Sequence, residues 1–133
     1  MRGRSAVRLV ALCALVAGCS GATKTPFARA ADTIAGELSA AALTIDDHRS
    51  GSVTREYAAA TLGVIASQLD GAPDELRSAE GAPDSDAAER SASGVEGALA
   101  AVRSPCLDDG CDATGQVLRL RAVAESLTRL ADG

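Results

Sequence analysis

Apolar residues recur at intervals of three and four along four separate stretches of this chain, and this spacing constrains the fold more than any other feature. Residues three and four apart lie on one face of an α-helix, so each stretch predicts an amphipathic helix. The first follows Thr25-Pro26, a favourable helix start. Its apolar face comprises Phe27, Ala31, Ile34, Leu38, Ala41 and Ile45. Because no stretch alternates β-branched residues as a strand would, the pattern predicts an all-α fold.

The second helix is expected to follow a polar turn over residues 46–51. Ser52 is suited to cap this helix and Gly71 to end it. Its apolar residues form two adjacent stripes: Val53, Tyr57, Ala60 and Val64 on one, and Ala58, Leu62, Ile65 and Leu69 on the other. Two neighbouring stripes make a wide apolar face, which predicts that this helix is the most buried of the four.

Residues 71–84 contain a short repeat, because Gly-Ala-Pro-Asp at 71–74 returns at 81–84. Glycine is typical of helix ends and proline of helix starts. The segment therefore predicts either a short helix held by Leu76 or a solvated loop.

Two further helices are expected after this segment. The third starts near Asp86, with Glu89 in capping-box register, and stops at Ser104-Pro105. The fourth starts near Asp112 or Thr114. Four amphipathic helices with mostly short connections predict a small antiparallel four-helix bundle over residues 26–133. Many of its core positions are alanine, which buries little area, so the bundle would benefit from a covalent clamp.

The first eighteen residues have the pattern of a secretory signal. Arg2, Arg4 and Arg8 precede an apolar run over residues 9–18, which is too short to span a membrane. The run ends in Val16-Ala17-Gly18-Cys19, which resembles the lipobox of bacterial lipoproteins. The resemblance implies that the Cys19 thiol carries diacylglycerol and that residues 1–18 are cleaved away.

The lipobox resemblance implies a protein anchored to the outer face of the cytoplasmic membrane, with residues 19–25 as a short tether. Cleavage would remove three of thirteen cations and none of eighteen anions, leaving a net charge of −8. Two acyl chains suffice for stable anchoring, whereas an anionic lipid surface repels a domain of this charge. We therefore expect the domain to stand off the membrane.

Two of the four cysteines remain once Cys13 leaves with the signal and Cys19 is acylated. Cys106 and Cys111 are separated by four residues that include a glycine, and thiols outside the cytoplasmic membrane are commonly oxidised. We expect a structural disulfide that fixes the connection between the third and fourth helices. A redox-active pair is less favoured because catalytic dithiols usually have two intervening residues. A zinc site lacks ligands, since only the distant His48 could add a nitrogen.

Two acidic clusters invite metal-site hypotheses. Asp46-Asp47-His48 has the donor types for a divalent cation, but adjacent turn residues rarely converge on one ion. Asp108, Asp109 and Asp112 suggest calcium, yet Arg119 occupies position twelve, where an EF-hand needs Glu. Solvated turn residues and helix caps are the preferred interpretations, and no metal or cofactor is expected.

Composition also limits the function. An acidic chain without a basic tract beyond its first residues is not expected to bind nucleic acid. A single histidine, two aromatic residues and no Gly-x-Ser-x-Gly or phosphate loop argue against an enzyme. We expect a non-enzymatic, lipid-anchored protein that presents an interaction surface to an envelope protein partner. The alternative is a carrier of a small apolar ligand or metal ion within the bundle, and catalysis centred on His48 is a weaker third hypothesis.

Overall fold

The computed structural model describes residues 24–133, so the signal segment and Cys19 lie outside the described residues. Five helices make up this part: α1 Pro26–Arg49, α2 Arg55–Gln68, α3 Ala72–Ser78, α4 Ser85–Arg103 and α5 Ala113–Asp132. Residues 24–133 contain no strand. The four longer helices form the predicted antiparallel all-α bundle, and α3 is a short addition between α2 and α4.

The long helices α1 and α5 form the central antiparallel pair. At one end Lys24 lies 3.7 Å from Asp132, and towards the other end Arg121 lies 3.3 Å from Asp46. Over residues 24–133, the buried apolar core between the helices runs from Phe27 to Ala131. The largest fully buried side chains are Phe27, Leu38, Ile45, Leu62, Leu69, Leu76, Leu120, Leu127, Val95 and Val102.

Helix α1 begins as predicted but ends later. Thr25 Oγ1 accepts a hydrogen bond from the Ala28 amide at 3.1 Å, and Pro26 is the first helical residue. The expected turn over residues 46–51 is wrong for its first four positions, which form the last turn of α1. The chain leaves the helix only at Gly51, whose φ of +80° is a left-handed conformation that favours glycine.

Helix α2 is not the most buried helix, which corrects the prediction from its two stripes. Thr54, rather than Ser52, caps it by accepting from the Tyr57 amide at 3.2 Å. The stripe of Ala58, Leu62, Ile65 and Leu69 is buried, whereas Tyr57 and Val64 are 60% and 58% exposed. The bundle covers only one side of α2, so only one of its two stripes has a partner.

The two copies of the repeat adopt different structures. The first copy starts α3, in which Leu76 is fully buried, so the short-helix alternative is confirmed. The second copy stays non-helical, because the Asp84 side chain accepts from the Ala87 amide at 2.6 Å and caps α4. Helix α4 therefore starts at Ser85, slightly before the predicted Asp86, and it ends at Arg103 as the Ser104-Pro105 signal predicts. Asp112 caps α5 by accepting from Gly115 at 2.8 Å.

Candidate functional site

His48 joins two parts of the chain that are far apart in sequence. Its Nε2 lies 3.0 Å from the carbonyl oxygen of Leu107, and its Nδ1 lies 3.4 Å from the carbonyl oxygen of Val53. A neutral imidazole has one N–H and donates to one of these carbonyls, whereas an imidazolium donates to both. The ring therefore holds the turn after α1 against the loop between α4 and α5, which we call the 104–112 loop.

The 104–112 loop contains the predicted cysteine pair. The Sγ atoms of Cys106 and Cys111 are 2.01 Å apart and their Cα atoms 5.7 Å apart, which is disulfide distance. The Cys106 amide donates to Gln116 Oε1 at 2.7 Å, and Gln116 Nε2 donates to the Ser104 carbonyl at 3.1 Å. Gln116 on α5 thus holds the loop through two hydrogen bonds to its backbone. No sequence motif indicated this role.

Ion pairs close the same end of the bundle. Arg55 at the start of α2 pairs with Asp108 of the 104–112 loop. Arg49 pairs with Asp46 at 2.6 Å, and Arg121 reaches Asp46 from α5 at 3.3 Å. We call this assembly of His48, these ion pairs and the 104–112 loop the loop-end clamp.

Four of the six residues that suggested metal sites have structural partners in the loop-end clamp. The His48 nitrogens face carbonyl oxygens, Asp46 and Asp108 face guanidinium groups, and Asp112 caps α5. In the part of the chain that the structure describes, no three His, Cys, Asp or Glu side chains are grouped to hold a metal ion. The arrangement is suited to holding four segments together, and no nucleophile lies in hydrogen-bond contact with the His48 ring in this range.

A second feature is a cavity of about 410 Å³ between α4 and α5, which we call the α4–α5 groove. Small residues at i, i+4 and i+7 on α4 face larger apolar residues at the same spacing on α5. The two sets are Ala87, Ser91 and Gly94, and Val123, Leu127 and Leu130. Because the α4 set has little bulk, the helices leave a trough along their seam.

The α4–α5 groove is cationic in an acidic protein. Arg90 stands on its α4 wall and Arg129 on its α5 wall, and no carboxylate lines it. Each of the other four cavities described includes at least one Asp or Glu, although residues 24–133 carry only ten cations against eighteen anions. Six of those ten cations form ion pairs within the described range, but Arg90 and Arg129 do not.

The third feature is the exposed stripe of α2. Residues 57–69 include no charged side chain. Tyr57, Ala60, Gly63 and Val64 are all exposed on the side of α2 away from the core. A Cβ atom added to Gly63 would meet nothing within 4 Å, so the surface beside it is open. We call this uncharged surface the α2 outer face.

Electrostatic contacts hold α3 against α4. Arg77 Nε lies 2.9 Å from Glu89 Oε2, and Arg77 Nη2 lies 2.8 Å from Glu96 Oε1. Hydrogen bonding to Arg77 lowers the pKa of Glu89 below its usual value. Hydrogen bonds to Glu89 and Glu96 in turn raise the pKa of Arg77. These contacts are exposed and lie away from the α4–α5 groove, so their role is structural.

The chain matches no protein-family model, no curated protein and no solved structure with which it was compared. Among the helices between residues 24 and 133, none is both long and apolar enough to cross a membrane. The predicted lipidation residue Cys19 precedes the described range. Of the predicted site residues, the structure therefore locates Cys106 and Cys111. The three surface features that it describes are the loop-end clamp, the α4–α5 groove and the α2 outer face.

Proposed function

We propose that this chain is a bacterial lipoprotein whose bundle is held on the outer face of the cytoplasmic membrane by acyl chains on Cys19. The Val16-Ala17-Gly18-Cys19 sequence, behind an arginine-rich start, is the observation that carries the proposal. Helix α1 begins at Pro26. Residues 20–25 span at most ~20 Å when extended, so the anchor would hold the bundle close to the bilayer.

Metabolic labelling tests the anchor. Cells expressing the full chain are fed an alkyne analogue of palmitate, and the labelled protein is detected after coupling to a fluorophore. We expect label on the unaltered chain and none on Cys19→Ser. Cys13→Ala is the matched control, because it removes the other cysteine of the segment and leaves Cys19 in place, so it should keep the label. An unlabelled wild-type chain, or equal labelling of Cys19→Ser, would refute the anchor.

The anchored bundle is proposed to act without catalysis, by presenting a surface to another envelope protein. The α2 outer face supports this proposal, because it exposes Tyr57 and Val64 on a stretch without charge in a chain that is 23% charged. Aromatic and aliphatic residues on an uncharged surface are typical of the centre of protein interfaces. No nucleic-acid partner and no cofactor is part of the proposal.

Photo-crosslinking in intact cells tests where a partner binds. A photoreactive residue is placed at Tyr57, at Val64 or, as a control outside the α2 outer face, at Leu118, which is similarly exposed at 60%. We expect a discrete crosslinked product from the two α2 positions only, and its loss when Ala60→Asp is added. Products of equal yield from Leu118, or products insensitive to Ala60→Asp, would contradict the assignment to this face.

Cys106 and Cys111 are proposed to be joined as a disulfide in this location. Their distance supports the pairing, and the proposed compartment supplies oxidising conditions. The bond would fix the 104–112 loop against His48 and Gln116, which already hold it by hydrogen bonds.

A carrier of a small ligand is the second candidate function. The α4–α5 groove favours it, since a cavity of about 410 Å³ lies within the ~300–1,000 Å³ range of small-molecule sites. The groove lies at the surface between two helices, however, rather than in the bundle interior where the sequence suggested a carrier site.

A further inference from the structure

The α4–α5 groove combines an apolar floor with two cationic walls. The half-buried Val123 and Leu130 supply the apolar surface above the buried Leu127, and Arg90 and Arg129 supply the charge from opposite helices. Neither guanidinium lies within 4.0 Å of a carboxylate of residues 24–133. In a domain with a net charge of −8, two arginines without acidic partners at one cavity indicate an anionic ligand.

The length of the groove suits an extended alkyl chain. From Ala122 to Leu130 helix α5 rises by ~12 Å, at 1.5 Å per residue. A single alkyl chain of about this length can lie along the seam between the two helices.

We propose that the α4–α5 groove binds a single-chain fatty acid, with the alkyl chain along Val123, Leu127 and Leu130 and the carboxylate between Arg90 and Arg129. The guanidinium fork matches the two oxygens of a carboxylate, which makes such pairs stronger than neutral hydrogen bonds. Ser126 lies on the same wall as Arg129 and offers a hydroxyl donor beside it. The α4 wall needs small residues at positions 87, 91 and 94, because larger side chains would fill the trough.

The position of the groove fits a ligand that comes from the bilayer. Leu130 lines both the groove and the neighbouring cavity around Lys24, the first described residue. An anchor at Cys19 would therefore hold the groove at the membrane-facing end of the bundle. Binding itself does not depend on the anchor, so the two proposals fail or succeed separately.

Titration of dodecanoate into the full chain carrying Cys19→Ser, which lacks the proposed acylation residue, tests the inference by calorimetry. We expect saturable binding at one site, with methyl NMR shifts confined to the groove residues. The double variant Arg90→Gln/Arg129→Gln should bind about tenfold or more weakly, because both charge-assisted contacts are lost. Arg119→Gln is the matched control, since Arg119 is another α5 arginine without an ion pair within residues 24–133 and lies outside the groove; its affinity should stay within about twofold.

A second variant tests the trough. A Cβ atom at Gly94 would lie 3.8 Å from Val123 Cγ1, an ordinary contact, so Gly94→Leu is expected to fold and to block dodecanoate. Circular dichroism checks the fold, and Ala122→Leu on the facing wall serves if Gly94→Leu does not fold. Unchanged affinity in either the arginine or the blocked variant overturns the inference.

The choice of ligand charge and source is tested with two other probes. Dodecyltrimethylammonium has the same chain with a cationic head and should bind about tenfold or more weakly than dodecanoate. Vesicles of anionic phospholipid, free of fatty acid, should not compete with dodecanoate. Equal binding of the cation would show that the arginines do not select the head group and would overturn the fatty-acid site. Vesicle binding that Gly94→Leu retains and the arginine variant loses would assign the arginines to a lipid surface and would overturn it too.

Discussion

His48 Nε2 lies 3.0 Å from the carbonyl oxygen of Leu107, across 59 residues of sequence. Leu107 follows Cys106, so the contact places the last turn of α1 beside the cysteine pair. The single histidine of the chain thereby acts as a cross-brace, and its two ring nitrogens face backbone carbonyls from different loops. These two contacts give His48 a structural role.

Replacing His48 should loosen the 104–112 loop. His48→Ala leaves at least one partly buried carbonyl without its hydrogen-bond donor, so we expect a loss of about 1 kcal/mol in the free energy of unfolding. Urea denaturation gives this value, and faster hydrogen exchange over residues 104–112 locates the change. Asp47→Asn is the control, because a neighbouring surface change should stay within about 0.5 kcal/mol. Equal rates of hydrogen exchange over residues 104–112 in His48→Ala and Asp47→Asn would show that His48 does not hold the loop.

Removing the cysteine pair should weaken the same end of the bundle. Cys106→Ser/Cys111→Ser opens a covalent ring of six residues, which in the chain-entropy model costs about 2 kcal/mol. Urea denaturation without reductant measures the loss, and reductant should lower the stability of the wild-type chain to a similar value. The double variant serves as the control, since reductant should leave its free energy of unfolding unchanged. A reductant-insensitive wild-type chain would show that the disulfide does not contribute.

The sequence predicted well what depends on neighbouring residues. The start of α1 at Thr25-Pro26, the stop of α4 at Ser104-Pro105 and the cap at Asp112 are local. Thr25 and Asp112 each accept from an amide three residues on, and Pro105 disfavours a helical backbone at Ser104. The same local information could not predict which side of α2 is buried. Both of its stripes are apolar, and the packing of the neighbouring helices decides that Tyr57 is exposed while Leu62 is buried.

The candidate sites depended on contacts that no spacing reveals. The contacts of His48 with Leu107 and of Gln116 with Cys106 join residues on different elements. The α4–α5 groove arises from the small residues Ala87, Ser91 and Gly94 of α4, and its depth depends on which α5 residues face them. The apolar pattern of one helix predicts which face is buried, but it does not predict the register between two helices. The placement of Gly94 beside Val123 depends on that register.

Gly81 should be far less replaceable than Gly51. Both have left-handed φ values, +88° and +80°, so alanine at either position costs about 1 kcal/mol in backbone strain. A Cβ atom at Gly81 would also approach within 2.6 Å of Thr25 Cγ2, whereas one at Gly51 meets nothing within 4 Å. We expect Gly81→Ala to cost at least about 1 kcal/mol more than Gly51→Ala, because of overpacking.

Thermal and urea unfolding of the two glycine variants measure this difference. The close approach exists because the amide of Phe27 donates to the Glu80 carbonyl at 2.9 Å and Thr25 Oγ1 donates to the Gly81 carbonyl at 3.3 Å. The start of α1 is thus held on the turn before α4. Equal costs at the two glycines would show that this turn can move away from Thr25 without loss.

Glu89 should make the bundle acid-sensitive. Arg77 holds the pKa of Glu89 below its usual value near 4.5 through hydrogen bonds from Nε at 2.9 Å and Nη2 at 3.2 Å. A carboxyl group with a lowered pKa in the folded state is more readily protonated in the unfolded state. Its contribution is therefore fully present above pH ~4.5 and is lost as the pH falls through the lowered folded value.

Glu89→Gln should accordingly unfold more easily than the wild-type chain at pH 7 and depend less on pH below about 4.5. Urea titrations between neutral and acidic pH measure the slope of the unfolding free energy. Glu125→Gln is the matched control, because Glu125 forms no ion pair within residues 24–133 and its removal should leave the acid slope unchanged. If both variants keep the wild-type slope, the contact between Arg77 and Glu89 does not contribute to acid sensitivity.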